Sequence, residues 1–145
     1  MLKFQVKVYL GTHHTTSSEE SIPVKNISFH HTWDGEGRYG YNHSDSAILT
    51  LAHPVTFTDK IRPLCLPADV SLSYAGETAT AAGWGKTQTG SGSPVLKKVQ
   101  VNIISNDQCN QPSSYDLCAF GKQDDNFGTR PGDSGSLLFL MENER

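Results

Sequence analysis

The stretch "RPGDSGS", residues 130–136, decides how this chain folds and what chemistry it can hold. Gly132 and Gly135 bracket the pair Asp133-Ser134, and an apolar run from Leu137 to Met141 follows. Glycines let the backbone take conformations that other residues resist. Neighbouring peptide N–H groups can then point into one small concavity, a nest that stabilises negative charge developing in the transition state of acyl transfer. On this reading Ser134 is the candidate nucleophile, and Gly132 and Ser134 are the candidate oxyanion donors. A serine in an ordinary turn would carry the same letters.

Working outward, the segment "HSDSAILTLAHPV" holds the second candidate. Asp45 leads into the apolar run "AILTL" (47–51), where a buried carboxylate could orient a histidine. Capping a turn is the competing role, a common one for Asp. Around these segments, turn formers recur at short intervals: Gly11, Pro23, "DGEG" at 34–37, Pro54, Pro63, Pro67, Gly76, "GWG" at 83–85, "TGSGSP" at 89–94 and Pro112. Between them lie strand-like runs, "AILTL", "ATAAGW" (79–84) and "KKVQVNII" (97–104), and the N-terminus alternates Phe4, Val6, Val8 and Leu10 with polar residues. Short strands with this punctuation predict an antiparallel sandwich or barrel. A short helix is predicted in "ISNDQCN" (104–110), with Ser105 or Asn106 as N-cap. The βαβ alternation of α/β-hydrolases is missing, as is their G-x-S-x-G elbow.

At 145 residues the chain has the length of one domain. A hydrophobic fraction of 36% and a charged fraction of 19% predict a soluble globular protein. The net charge of −3 comes without a polybasic run, so neither a nucleic-acid nor a membrane partner is expected. No apolar run is long enough to span a bilayer, and no export signal is visible. The three cysteines, Cys65, Cys109 and Cys118, make an odd count. In a secreted protein that implies a bond outside the chain or a free thiol, and in a cytosolic one three reduced thiols. There is no CxxC to suggest zinc.

Taken in order, "LGTHH" (10–14), "DSAILTLAHPV" (45–55), "IRPLCLP" (61–67), "AAGWGKT" (81–87), "VNIISNDQC" (101–109), "LCAF" (117–120) and "GDSGS" (132–136) resemble the trypsin/chymotrypsin-like serine proteases. The interval from Asp45 to Ser134 is close to the roughly 93 residues of that family's reference triad. The resemblance implies an all-β fold of two antiparallel β-barrels with the active site between them, here incomplete at both ends. Residues 1–67 would be the remainder of the first barrel and 68–145 most of the second. It implies Asp45 as the triad Asp, Ser134 as nucleophile, Gly132 and Ser134 as oxyanion donors, and Gly128 at the base of the specificity pocket. It further implies a Cys109–Cys118 disulfide, a propeptide linked through Cys65, a protein or peptide substrate, an extracellular location and no cofactor.

The chain departs from the family at several points. In the reference triad His precedes Asp by about 45 residues, which falls before Met1. No "AAHC" block is present, and His13, His14, His30, His31, His43 and His53 read as surface or packing residues. Arg130 stands where the family has Cys, Ser136-Leu137 stand where it has Gly-Pro, and Asp133 lacks its usual N-terminal amine partner. Gly128 replaces the Asp of members that cleave after Lys or Arg. Thr12 stands where the calcium loop usually starts with Glu, so calcium is not expected despite Glu19 and Glu20. Asn26 and Asn42 lie in glycosylation sequons, which matter only for an exported chain. The leading expectation is a serine endopeptidase whose base lies outside this chain, so that the chain alone is inactive. The alternative is a non-catalytic homologue that binds or regulates.

Overall fold

The structure is a computed structural model that describes residues 6–16, 21–33, 44–69, 71–109, 117–121 and 128–141. Asn42, His43, Glu19, Glu20, Asp124, Asp125 and Pro112 fall outside the described residues. Among those described, the regular structure is antiparallel β with a single 3₁₀ turn. The chain divides into two units, one made of Met1–Thr12 with Ser17–Cys65 and one of His13–Thr16 with Leu66–Arg145.

In the first unit, β1 (Lys7–Tyr9), β2 (Ser21–Phe29) and β3 (Ala47–Leu51) form a sheet in the order β1-β2-β3. The pairing of β2 with β3 shifts between Val24 and Asn26, so Lys25 is an extra residue opposite no partner. A bulge of this kind reverses which face each later side chain takes. Ile22 and Val24 are half-buried before it and Ile27 after it, while Asn26 and Ser28 are exposed. The run "AILTL" does form the predicted strand, yet Ile48 is 72% exposed and Leu49 42%. Phe29 stacks on Trp33 with ring centroids 4.5 Å apart.

In the second unit, β4 (Thr78–Gly83), β5 (Lys97–Ile104), β6 (Cys118–Gly121) and β7 (Leu138–Phe139) form a sheet in the order β6-β5-β4-β7. The alternation of β4 puts Ala79, Ala81 and Gly83 on the buried face and its threonines on the other. Ala79 pairs with Val101, and Ala79, Val101 and Ile103 form the core, with Tyr74, Val99, Ala119 and Leu140 packed against it. On the opposite face Thr78 Oγ1 donates to Asn102 Oδ1 at 3.0 Å, a cross-strand pair of the kind that holds register. The predicted short helix is a 3₁₀ turn, Asn106–Gln108. Gln108 Oε1 reaches back to accept from the Ser105 N–H at 3.4 Å and its hydroxyl at 3.2 Å. The Cys109–Cys118 disulfide then ties the end of this turn to β6.

Neither sheet closes into a barrel among the described residues. The buried apolar set there is Ala79, Ala81, Val101 and Ile103, whereas Leu66, Met141, Phe57 and Leu137 are each more than 60% exposed. So much apolar surface in water favours association over a unique packed state. The 145-residue chain by itself is therefore expected to bind a hydrophobic dye and to lose near-ultraviolet dichroism without a sharp transition. A cooperative melt with a well-dispersed NMR spectrum would overturn this expectation.

Candidate active site

The loop Gly128–Ser136 enters β7 and is fixed from both ends of one side chain. Asp133 Oδ1 accepts from the Gly85 N–H at 2.8 Å, and Oδ2 accepts from the Arg130 N–H at 3.0 Å. The Asp133 N–H donates to the Arg130 carbonyl at 2.9 Å, and the Ser136 N–H donates to the Asp133 carbonyl at 3.0 Å. The Lys86 N–H donates to the Pro131 carbonyl at 2.9 Å, a second tie between this loop and the end of β4. Asp133 thus has two charge-assisted backbone partners. Sequence alone offers no evident partner for this carboxylate, and the structure supplies these two from the backbone.

The "GWG" segment is explained by the same contact. A Cβ on Gly83 or Gly85 would run into the Asp133 carboxylate, and one on Gly132 would meet Gly85 Cα at 3.1 Å. Gly132 also has φ +100°, a backbone state that L side chains rarely adopt. Glycine is therefore required where the Gly128–Ser136 loop lies on the end of β4. Trp84, between the two glycines, donates from its indole N–H to the His13 carbonyl at 3.2 Å. His13 serves this unit through its backbone, since its carbonyl also accepts from Leu96 N–H at 2.8 Å.

Ser134 is exposed on the loop. Among the described residues, the N–H groups of Gly132 and Ser134 donate to no backbone carbonyl, whereas the intervening Asp133 N–H is engaged. Gly128 lines a groove of about 490 Å³ together with Ala81, Gly85, Lys97, Arg130 and Asp133. A Cβ on Gly128 would meet nothing within 4 Å, so this position leaves open space in the groove wall.

Asp45 belongs to the first unit, in a three-residue turn where the Ser46 N–H donates to the Ser44 carbonyl at 2.7 Å and Ser44 has φ 64°. Its side chain is exposed, which accords with the turn role weighed from sequence more than with burial at the strand entrance. His13, His14, His30, His31 and His53 are all exposed, and the His30 ring bonds the Thr32 hydroxyl at 2.9 Å. Cys65 is an exposed free thiol. Sequence reading missed the role of Gly85, although two glycines flanking a Trp at a strand end were the available signal.

Asp133→Asn keeps the shape but turns one accepting oxygen into a donor, and is expected to destabilise the protein by about 1–3 kcal/mol. Gly85→Ala is expected to cost a similar amount, and the double variant less than the sum, because both break one contact. Denaturant unfolding of the full-length protein, with hydrogen exchange at the Gly85 and Arg130 amides, measures this; additive effects would contradict the shared contact.

Known proteins place the site in context. The family described as Trypsin matches residues 3–144. The chain is 38% identical over 113 residues to serine protease ea of Drosophila melanogaster, covering 70% of this chain and 28% of that protein. It is 35% identical over 108 residues to CLIP domain-containing serine protease HP8 of Bombyx mori, covering 72% and 29%. Phenoloxidase-activating factor 1 of Holotrichia diomphalia is 37% identical over 103 residues, covering 65% and 27%. The chain thus spans less than a third of the length of these relatives. With its antiparallel β architecture, its "GDSG" loop seated on "GWG" and a family match along nearly its whole length, this chain belongs to the trypsin-like serine protease family.

Proposed function

We propose that the chain is part of a serine endopeptidase that hydrolyses peptide bonds of protein substrates through an acyl-enzyme. Ser134 Oγ bonds to the substrate carbonyl carbon while its proton passes to a histidine, and Asp45 orients that histidine. The Gly132 and Ser134 N–H groups stabilise the oxyanion, and Gly128 forms the base of the specificity pocket. The supporting observation is the loop geometry: Asp133 consumes its own N–H and carboxylate within the fold and leaves the two flanking amides uncommitted to backbone acceptors. The base comes from the remainder of the whole protein, and the two units are parts of the first and second barrels.

A protein substrate and an extracellular location go with this reading. The Cys109–Cys118 disulfide supports the second, since such bonds persist in oxidising compartments. Cys65, exposed and free, is suited to hold a propeptide, and one relative is named as CLIP domain-containing. Another relative's name describes activation of a second protein, which supports proteolysis of a protein rather than a small ester.

A second reading, a non-catalytic homologue that binds or regulates, is favoured by Arg130, Ser136 and Leu137, which replace the family's Cys and Gly-Pro beside Ser134. Sequencing the full-length transcript and treating the mature protein with a fluorophosphonate probe separates the two. The protease reading expects labelling that Ser134→Ala abolishes and a turnover about 10⁴-fold lower in Asp45→Asn. A folded mature protein that takes no label supports the second reading. The 145-residue chain alone is expected to take no label, because a neutral hydroxyl without a base is a poor nucleophile.

A further inference from the structure

We infer that Asn26 is an N-glycosylation site, presented by the bulge in β2, and that its glycan covers the outer face of the first sheet. The inference rests on the extracellular reading above. Asn26-Ile27-Ser28 is an acceptor sequence, but such triplets are frequent, and in a strand half of all positions face inward. Without the shift between Val24 and Asn26, the alternation that half-buries Ile22 and Val24 would carry Asn26 to the same face. Lys25, the extra residue, reverses that alternation. Ile27 takes the half-buried side, and Asn26 and Ser28 are both exposed.

Two further observations point to the same residue. In extended backbone, side chains two apart share a face, and Asn26 Nδ2 donates to Ser28 Oγ at 3.0 Å. The hydroxyl and the amide of the acceptor triplet are therefore already in contact on the open side. Across the sheet, Asn26 pairs with Thr50 and Ser28 with Ile48, so Ile48 shares this outer face and is 72% exposed. A sugar on Asn26 would shield that side chain, and its bulk requires the face to stay in solvent. The half-buried Ile27 side is then the one left for packing.

The chemistry is a transfer from a lipid-linked sugar pyrophosphate. The Asn26 Nδ2–C1 bond forms as the sugar C1–O bond breaks, the electron pair leaves on the pyrophosphate, and Nδ2 gives up one proton.

The two sequons separate on digestion with trypsin, since cleavage after Lys25 and Arg38 puts Asn26 alone in peptide 26–38. Full-length protein recovered from the medium of insect cells would be deglycosylated with peptide N-glycosidase in heavy-oxygen water and the peptide weighed. Labelled aspartate at residue 26 is expected, lost in Ser28→Ala and retained in Ser28→Thr. The Asn26→Gln variant, secreted in parallel, is expected to run one glycan lighter and to aggregate more readily. An unmodified peptide 26–38 from secreted protein overturns the assignment and leaves the protease reading standing. Native protein confined to the cytosol overturns the extracellular reading and the assignment together.

Discussion

The seat of the Asp133 carboxylate on the β4 backbone is the constraint on which the candidate site depends. One side chain accepts from Gly85 at the end of β4 and from Arg130 within its own loop. Each of the charge-assisted bonds in this anchor is roughly twice as strong as a neutral hydrogen bond. That anchor tolerates no Cβ at Gly83 or Gly85 and brings Gly132 against Gly85. The conformation of the Gly128–Ser136 loop is therefore set by its contact with the end of β4 together with bonds inside the loop, and Ser134 is exposed on it.

Around this anchor the packing is thin. The core of the second unit is built of small residues on β4 facing Val101 and Ile103 on β5, with little bulk on either side. Small residues let strands and loops approach closely, but they bury little apolar area, and burial supplies most of the drive to fold. Two cross-links reinforce the unit: the long-range Asp133 contact and the short-range Cys109–Cys118 disulfide. In the chain-entropy model a loop of that size is stabilised by about 3 kcal/mol. The first sheet has no such staple among the described residues, and its apolar residues on β3 remain largely in water.

The strand runs around 47–51, 79–84 and 97–104 were legible because a period of two and β-rich composition survive in any context. The turn after Ile104 was legible through its polar cap residues, and the cysteine pair through the family resemblance. Legibility failed where a side chain depends on what covers it. Asp45 stands at the start of an apolar strand, where burial and a turn role are both open from sequence, and it is exposed in a turn. Asp133 looked unpartnered because its donors are backbone N–H groups, which every residue except proline possesses and no letter announces.

By itself, then, the order of residues determined the all-β class, the places of the strands, the family, and Ser134 with its flanking glycines as the point of interest. Each of these is written in local spacing and residue type. The tertiary structure alone decided that Gly85 is the partner of Asp133, 48 residues away in sequence, and that a single extra residue in β2 turns Asn26 and Ser28 to solvent. The physical reason is common to both. A hydrogen bond between distant segments and the register of a strand pair are properties of two stretches of chain at once, and neither stretch encodes them separately.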